Sequence, residues 1–154
     1  MCSDHHRFQP SRRFGAMMRK LDQRGVAAME FCLVGLPLFI LMFAIFDLGR
    51  CAITMQSLRA LANAGARATM IQCHTPAAIA RTSPSGCTGS YMSDTQMQNA
   101  APFLYGNGGG TPTLNTAGGA AALTVTASQP GFNMIMPIWG ATLNAPSTST
   151  SIPF

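Results

Sequence analysis

Residues 24–46 read RGVAAMEFCLVGLPLFILMFAIF. Between Val26 and Phe46 the only charged side chain is Glu30. A run of about 20 apolar residues is long enough to cross the hydrocarbon core of a bilayer as a helix, so this stretch reads as a membrane span. It is a poor fit to a cleaved secretory signal, whose apolar region is about 7–15 residues long and ends in a small-residue cleavage site. Pro37, beside Gly35, interrupts the run. Proline removes one helical hydrogen bond, a loss that membrane helices tolerate.

Working outward, the charge is lopsided. The 154 residues carry a net charge of +5. Residues 1–25 hold Arg7, Arg12, Arg13, Arg19, Lys20 and Arg24 against Asp4 and Asp22. The rest of the chain holds Arg50, Arg59, Arg67 and Arg81 against Glu30, Asp47 and Asp94. Lys and Arg beside a span stay in the cytoplasm. The expected order is therefore a basic cytoplasmic leader at 1–25, a transmembrane helix at 26–46, its continuation outside the membrane at 47–72, and a loop-rich outer domain at 73–154. Nucleic-acid binding needs a basic patch on the folded domain, and the basic residues here belong to the leader.

The helix is expected to begin near Gly25 and to reach about Gln72, with residues 1–23 unstructured. Asp47 and Arg50 are three apart and can pair at the lipid boundary; a subunit contact is the alternative use. Gln56, Arg59, Asn63 and Arg67 form a polar stripe beside Met55, Leu58, Ala62, Gly65, Ala66 and Thr69, the period of an amphipathic helix. Gly65 is expected to pack on the chain's own sheet. Cys73 and Cys87 both fall outside the membrane, where oxidising conditions favour a disulfide; two free thiols are the alternative. Ser93 or Asp94 caps a short helix to Ala101. ALTVTAS at 122–128 alternates as a half-buried strand. Pro130-Gly131 suits the centre of a type II turn. FNMIMPIW at 132–139 reads as a return strand limited by Pro137, with Trp139, Phe132 and Ile138 as core; an exposed partner site is the alternative. APSTSTSIPF at 145–154 reads as a third extended piece. The fold class is α+β: a long N-terminal helix followed by a small antiparallel sheet with loops.

Glu30 needs a reason. An acidic side chain at mid-membrane costs roughly 2.5–3.5 kcal/mol, less near one end. No Lys or Arg lies within the span. A cut between Gly25 and Val26 would create a partner, an ammonium on Val26 four residues before Glu30 and on the same helix face. Glu30 could then neutralise that amine in its own chain or in a neighbour. Gly25 offers a small residue where a protease can approach the backbone.

GVAAMEF following RKLDQR resembles the processing site of prepilins of the tight-adherence (Flp, type IVb) pilus system, where cleavage follows the glycine and a glutamate precedes an aromatic. Here those residues are Gly25, Val26, Glu30 and Phe31; major pilins often carry Tyr where Phe31 stands. The stretch from about residue 19 to 71 resembles more specifically the TadE-like pseudopilins: basic leader, Glu-Phe, an apolar run with a proline, an acid closing the run, and an Ala- and Arg-containing helix. Major Flp pilins are much shorter, so the resemblance implies a minor pilin with a pilin-like fold. It further implies a single-pass inner-membrane protein with a cytoplasmic N-terminus and a periplasmic C-terminal domain. Prepilin peptidase and other pilins or assembly proteins are its implied partners, in a hetero-oligomer, with possible incorporation into the pilus.

Catalysis is not expected. His5 and His6 lie in the leader and His74 beside Cys73; Asp94 is the one carboxylate of the outer domain. No acid/base pair or Ser-His-Asp set can be built there. No metal-ligand spacing occurs, and GNGGG lacks the Lys-Ser or Lys-Thr of a phosphate loop. No cofactor is expected. The alternative reading is an uncleaved, single-pass binding module facing the periplasm.

Overall fold

Helix α1 covers Arg13–Thr69 in a computed structural model that describes residues 13–106 and 109–154. By its contacts the chain divides into two units, Met1–Phe43 and Ala44–Phe154. In the first unit the described part is helical throughout, Pro37 included. The helix starts at Arg13, not near Gly25. The intervening Met, Arg, Lys, Leu and Gln residues are good helix formers, and one glycine costs only about 1 kcal/mol against alanine. Of the stretch 1–23 expected to be unstructured, residues 13–23 are helical, and residues 1–12 lie outside the described residues.

In the second unit α1 turns into its last, amphipathic third. Leu58, Leu61, Ala62 and Ala66 are buried, while Gln56, Arg59, Asn63 and Arg67 are exposed, as the two stripes require. After Thr69 the helix widens into a π turn, Met70–His74, and resumes briefly as α2, Thr75–Ile79. Cys73 and Cys87 form a disulfide with Cα atoms 6.0 Å apart. A loop of this size adds about 3 kcal/mol in the chain-entropy view. Helix α3, Asp94–Ala100, starts in a capping box: Ser93 Oγ accepts from Gln96 N–H, and Gln96 Oε1 accepts from Ser93 N–H. Helix α4 covers Pro102–Gly106.

Three strands follow, β1 Thr113–Gly118, β2 Ala122–Ser128 and β3 Ser147–Pro153, in an antiparallel sheet of order β1-β2-β3. Thr113 pairs with Ser128, and Ser128 with Ser147 on the other side. The inward face of β2 is Leu123, Val125 and Ala127, all buried, which is the alternation read from the sequence. Gly65 is where the helix meets this face. A Cβ there would stand 2.8 Å from a Leu114 methyl and 3.2 Å from a Val125 methyl, so only glycine admits the approach. Thr69 and Thr116 hydroxyls meet at 3.2 Å within the same contact.

Four points of the sequence reading are corrected. Strand β1 falls in TLNTAG, a stretch whose turn-forming composition masks it; its buried Thr116 is satisfied by Thr69 and by an isolated bridge to Gly89. FNMIMPIW forms no strand. It opens the long β2–β3 connection, residues 129–146, and ends in a 3-10 turn, Pro137–Trp139. Phe132 is buried there, but Ile138 is exposed and Trp139 only half-buried. Pro130-Gly131 does sit mid-turn, closed by Phe132 N–H to Gln129 C=O at 3.2 Å. The turn is not type II, because Gly131 lacks the positive φ which that type needs. Glycine serves there for space: a Cβ would run into the Gly109 carbonyl oxygen.

The base of the long connection is closed by Gln129 N–H to Pro146 C=O at 3.0 Å and Ala145 N–H to Phe132 C=O at 2.9 Å. Gln129, buried, also donates its amide to the Gly109 and Gly110 carbonyls at 2.9 and 2.8 Å.

Candidate functional site

Gly25, Val26, Glu30 and Phe31 all lie on exposed turns of α1 in the first unit. Phe31 is 70% exposed, and its ring lies over Gly35 one turn on. Nothing stands within 4 Å of where a Gly25 Cβ would be. Val26 and Glu30 are four apart in a helix, so they share a face. Among the described residues no side chain or backbone group pairs with the Glu30 carboxylate, and the span offers it no cation.

Helical Gly25 also bears on hydrolysis. A protease needs an extended, accessible peptide bond, so any cut after Gly25 would require α1 to open locally first. Glycine lowers the cost of that opening by about 0.5–1 kcal/mol relative to alanine.

A second carboxylate, Asp47, is used very differently. It is 2% exposed. Its Oδ1 accepts from Ile135 N–H at 3.1 Å and its Oδ2 from Met136 N–H at 3.0 Å. Arg50 Nη1 stands 3.7 Å from Oδ1, and the guanidinium lies 5.5 Å from the Phe132 ring centroid. Thr54, one turn further, donates its hydroxyl to the Arg50 carbonyl at 2.9 Å. Next in the loop, Met134 N–H donates to Asn144 Oδ1 at 2.9 Å. Helix α1 thus holds the β2–β3 connection through one carboxylate, by charge-assisted bonds stronger than neutral ones.

The pairing of Asp47 with Arg50 is visible in their spacing. Ile135, Met136, Phe132 and Asn144, which complete the arrangement, are not. The bonds to Asp47 bridge 88 and 89 positions of sequence, beyond the reach of any local pattern. The one available hint is that the loop sequence carries no charge of its own, so an acid facing it is met by neutral donors.

The remaining free cysteines among the described residues are Cys32, exposed, and Cys51, half-buried. Among those residues one helix is long and apolar enough to cross a membrane. Its apolar stretch is almost wholly uncovered by the chain's own fold, with 11% of it buried, which separates it from the core helix of a globular domain.

Residues 25–67 match the model of the family described as TadE-like protein. The match begins at Gly25, takes in Glu30, Phe31, Asp47 and Arg50, and ends within the amphipathic third of α1. No curated protein matches the chain, and no solved structure does.

Proposed function

We propose, from the TadE-like domain at residues 25–67, that this chain is a minor pilin or pseudopilin of a tight-adherence pilus. Prepilin peptidase cuts it after Gly25, and it takes part in assembling a type IVb pilus that serves adhesion, biofilm formation or a related secretion process. The chain is anchored once in the inner membrane, with the basic residues before Gly25 in the cytoplasm and the sheet in the periplasm. It acts by packing against other pilins and assembly proteins in a hetero-oligomer, and not by catalysis.

One observation carries this reading. The family match opens at the glycine of the expected cut and contains an acid for which the described chain provides no partner. Trimming supplies that partner, an ammonium on Val26. Paired in its own chain, it cancels a charge near the helix start. Paired with a neighbour, it fixes the axial register between two subunits. The exposed apolar surface of α1, with Phe31, Leu33 and Leu36 outward, suits lipid first and helix packing afterwards.

The test is the N-terminus of the membrane-extracted protein from cells that possess the peptidase. A sequence beginning VAAMEF supports the pilin. A chain retaining its leader in such cells favours instead an uncleaved anchored module whose outer domain binds an envelope partner.

A further inference from the structure

We infer that residues 134–139 form a second membrane contact, an apolar loop that dips into the lipid headgroup region beside the point where α1 leaves the bilayer. The inference rests on the membrane reading of residues 26–46 and adds to it a lipid-binding role for a loop in the outer domain.

The first observation is exposure. Ile135 is 72% exposed and Ile138 61%, and Met134, Met136 and Trp139 are each partly exposed. These residues fall within the six positions 134–139, and residues 129–146 contain no charged side chain. A continuous exposed apolar tip of this kind marks an interaction surface.

Position is the second. The tip is tied to Asp47, the residue that directly follows the apolar run, by the backbone N–H groups of Ile135 and Met136. Phe46, just before it, is 63% exposed, and Ile45 is exposed as well. Where residues 45 and 46 lie in the outer edge of the hydrocarbon, the loop fastened to residue 47 sits at the interface.

The third observation concerns the backbone, and it lowers the cost of entering lipid. Entry into an apolar phase is opposed by unsatisfied N–H groups, each costing several kcal/mol in hydrocarbon. Along the tip these donors are already occupied: Met134 by Asn144, Ile135 and Met136 by Asp47. Pro137 has no N–H. Four successive positions therefore offer the bilayer no free donor. Trp139 completes the segment with the residue type favoured at membrane–water interfaces.

Trp139 is the single tryptophan of the chain, so it reports on the loop without labelling. The full chain is reconstituted at high dilution in phosphatidylcholine vesicles carrying brominated lipids, and vesicle flotation establishes that it is inserted. We expect bromines near the headgroup to quench Trp139 more than bromines near the chain ends, and quenching by aqueous acrylamide to be weak. Ile135→Asp with Ile138→Asp alters exposed positions only and should abolish the shallow quenching while the chain still floats. A floating chain whose Trp139 is quenched by acrylamide and not by lipid overturns the loop contact and leaves the span intact. Shielding that appears only at high protein density assigns the tip to a neighbouring subunit and overturns the lipid partner. A chain that does not float overturns both the contact and the span on which it rests.

Discussion

Glu30 and Asp47 are two carboxylates on one helix, near the start and just past the end of one apolar run. Asp47 is buried and meets two backbone N–H groups and an arginine of its own chain. Glu30 is exposed and, among the described residues, meets none. The contrast separates two kinds of polar group. Asp47 is explained by the fold in which it sits. Glu30 is not explained by its own fold; under the proposed function its partner is a new terminus or a second subunit.

The contrast can be broken first at Gly25. Because space is open around it, Gly25→Val should leave α1 and the outer domain folded. Processing should stop, so intact mass should show the full leader, and assembly should be lost altogether. Normal trimming of that variant would separate Gly25 from the function of Glu30.

On the other side, Asp47→Ala should release the loop without unfolding the sheet. Hydrogen bonds to a charged group are worth about 1.5–3 kcal/mol each, so Ile135 and Met136 amides should lose hydrogen-exchange protection by at least the smaller amount. The amides of β2 should keep theirs. Equal loss across the whole outer domain would mean that Asp47 supports the core, not the loop.

Cys73→Ser tests how far the outer domain stands by itself. The expected loss is about 3 kcal/mol from the opened loop, read as a lower denaturant midpoint. Mass spectrometry of the unreduced protein should show Cys73 joined to Cys87. The smallest change is Gly65→Ala. One methyl must enter a space already held by Leu114 and Val125, and overpacking of this kind costs typically about 1–3 kcal/mol. A neutral result would show that the strand shifts to make room.

What could be read beforehand follows the same division. Local patterns carry local structure: the alternation of ALTVTAS gives β2, Ser93 with Gln96 gives a capped helix, and the stripe through Leu58 and Ala62 gives the buried face of α1. The Cys73–Cys87 disulfide, expected from the compartment assigned to that segment, is present. Strand β1 was hidden because its buried Thr116 is polar and its partner, Thr69, is 47 residues away. The loop at 132–139 misled because apolar residues suggest a core strand. Here a distant carboxylate holds their backbone, and Ile135 and Ile138 are left outside. Gly25, Glu30 and Phe31 stand out in the sequence, yet their helical setting from Arg13 onward was not legible, since no single residue there forces a helix.

The most direct measurement is on Glu30 itself. Glu30→Ala should insert in the inner membrane as well as the native chain or better, since an acidic side chain in the span opposes insertion, and should be trimmed yet fail to support pilus assembly. Filaments in normal number from cells carrying only Glu30→Ala would contradict the claim that this carboxylate waits for a liberated amine.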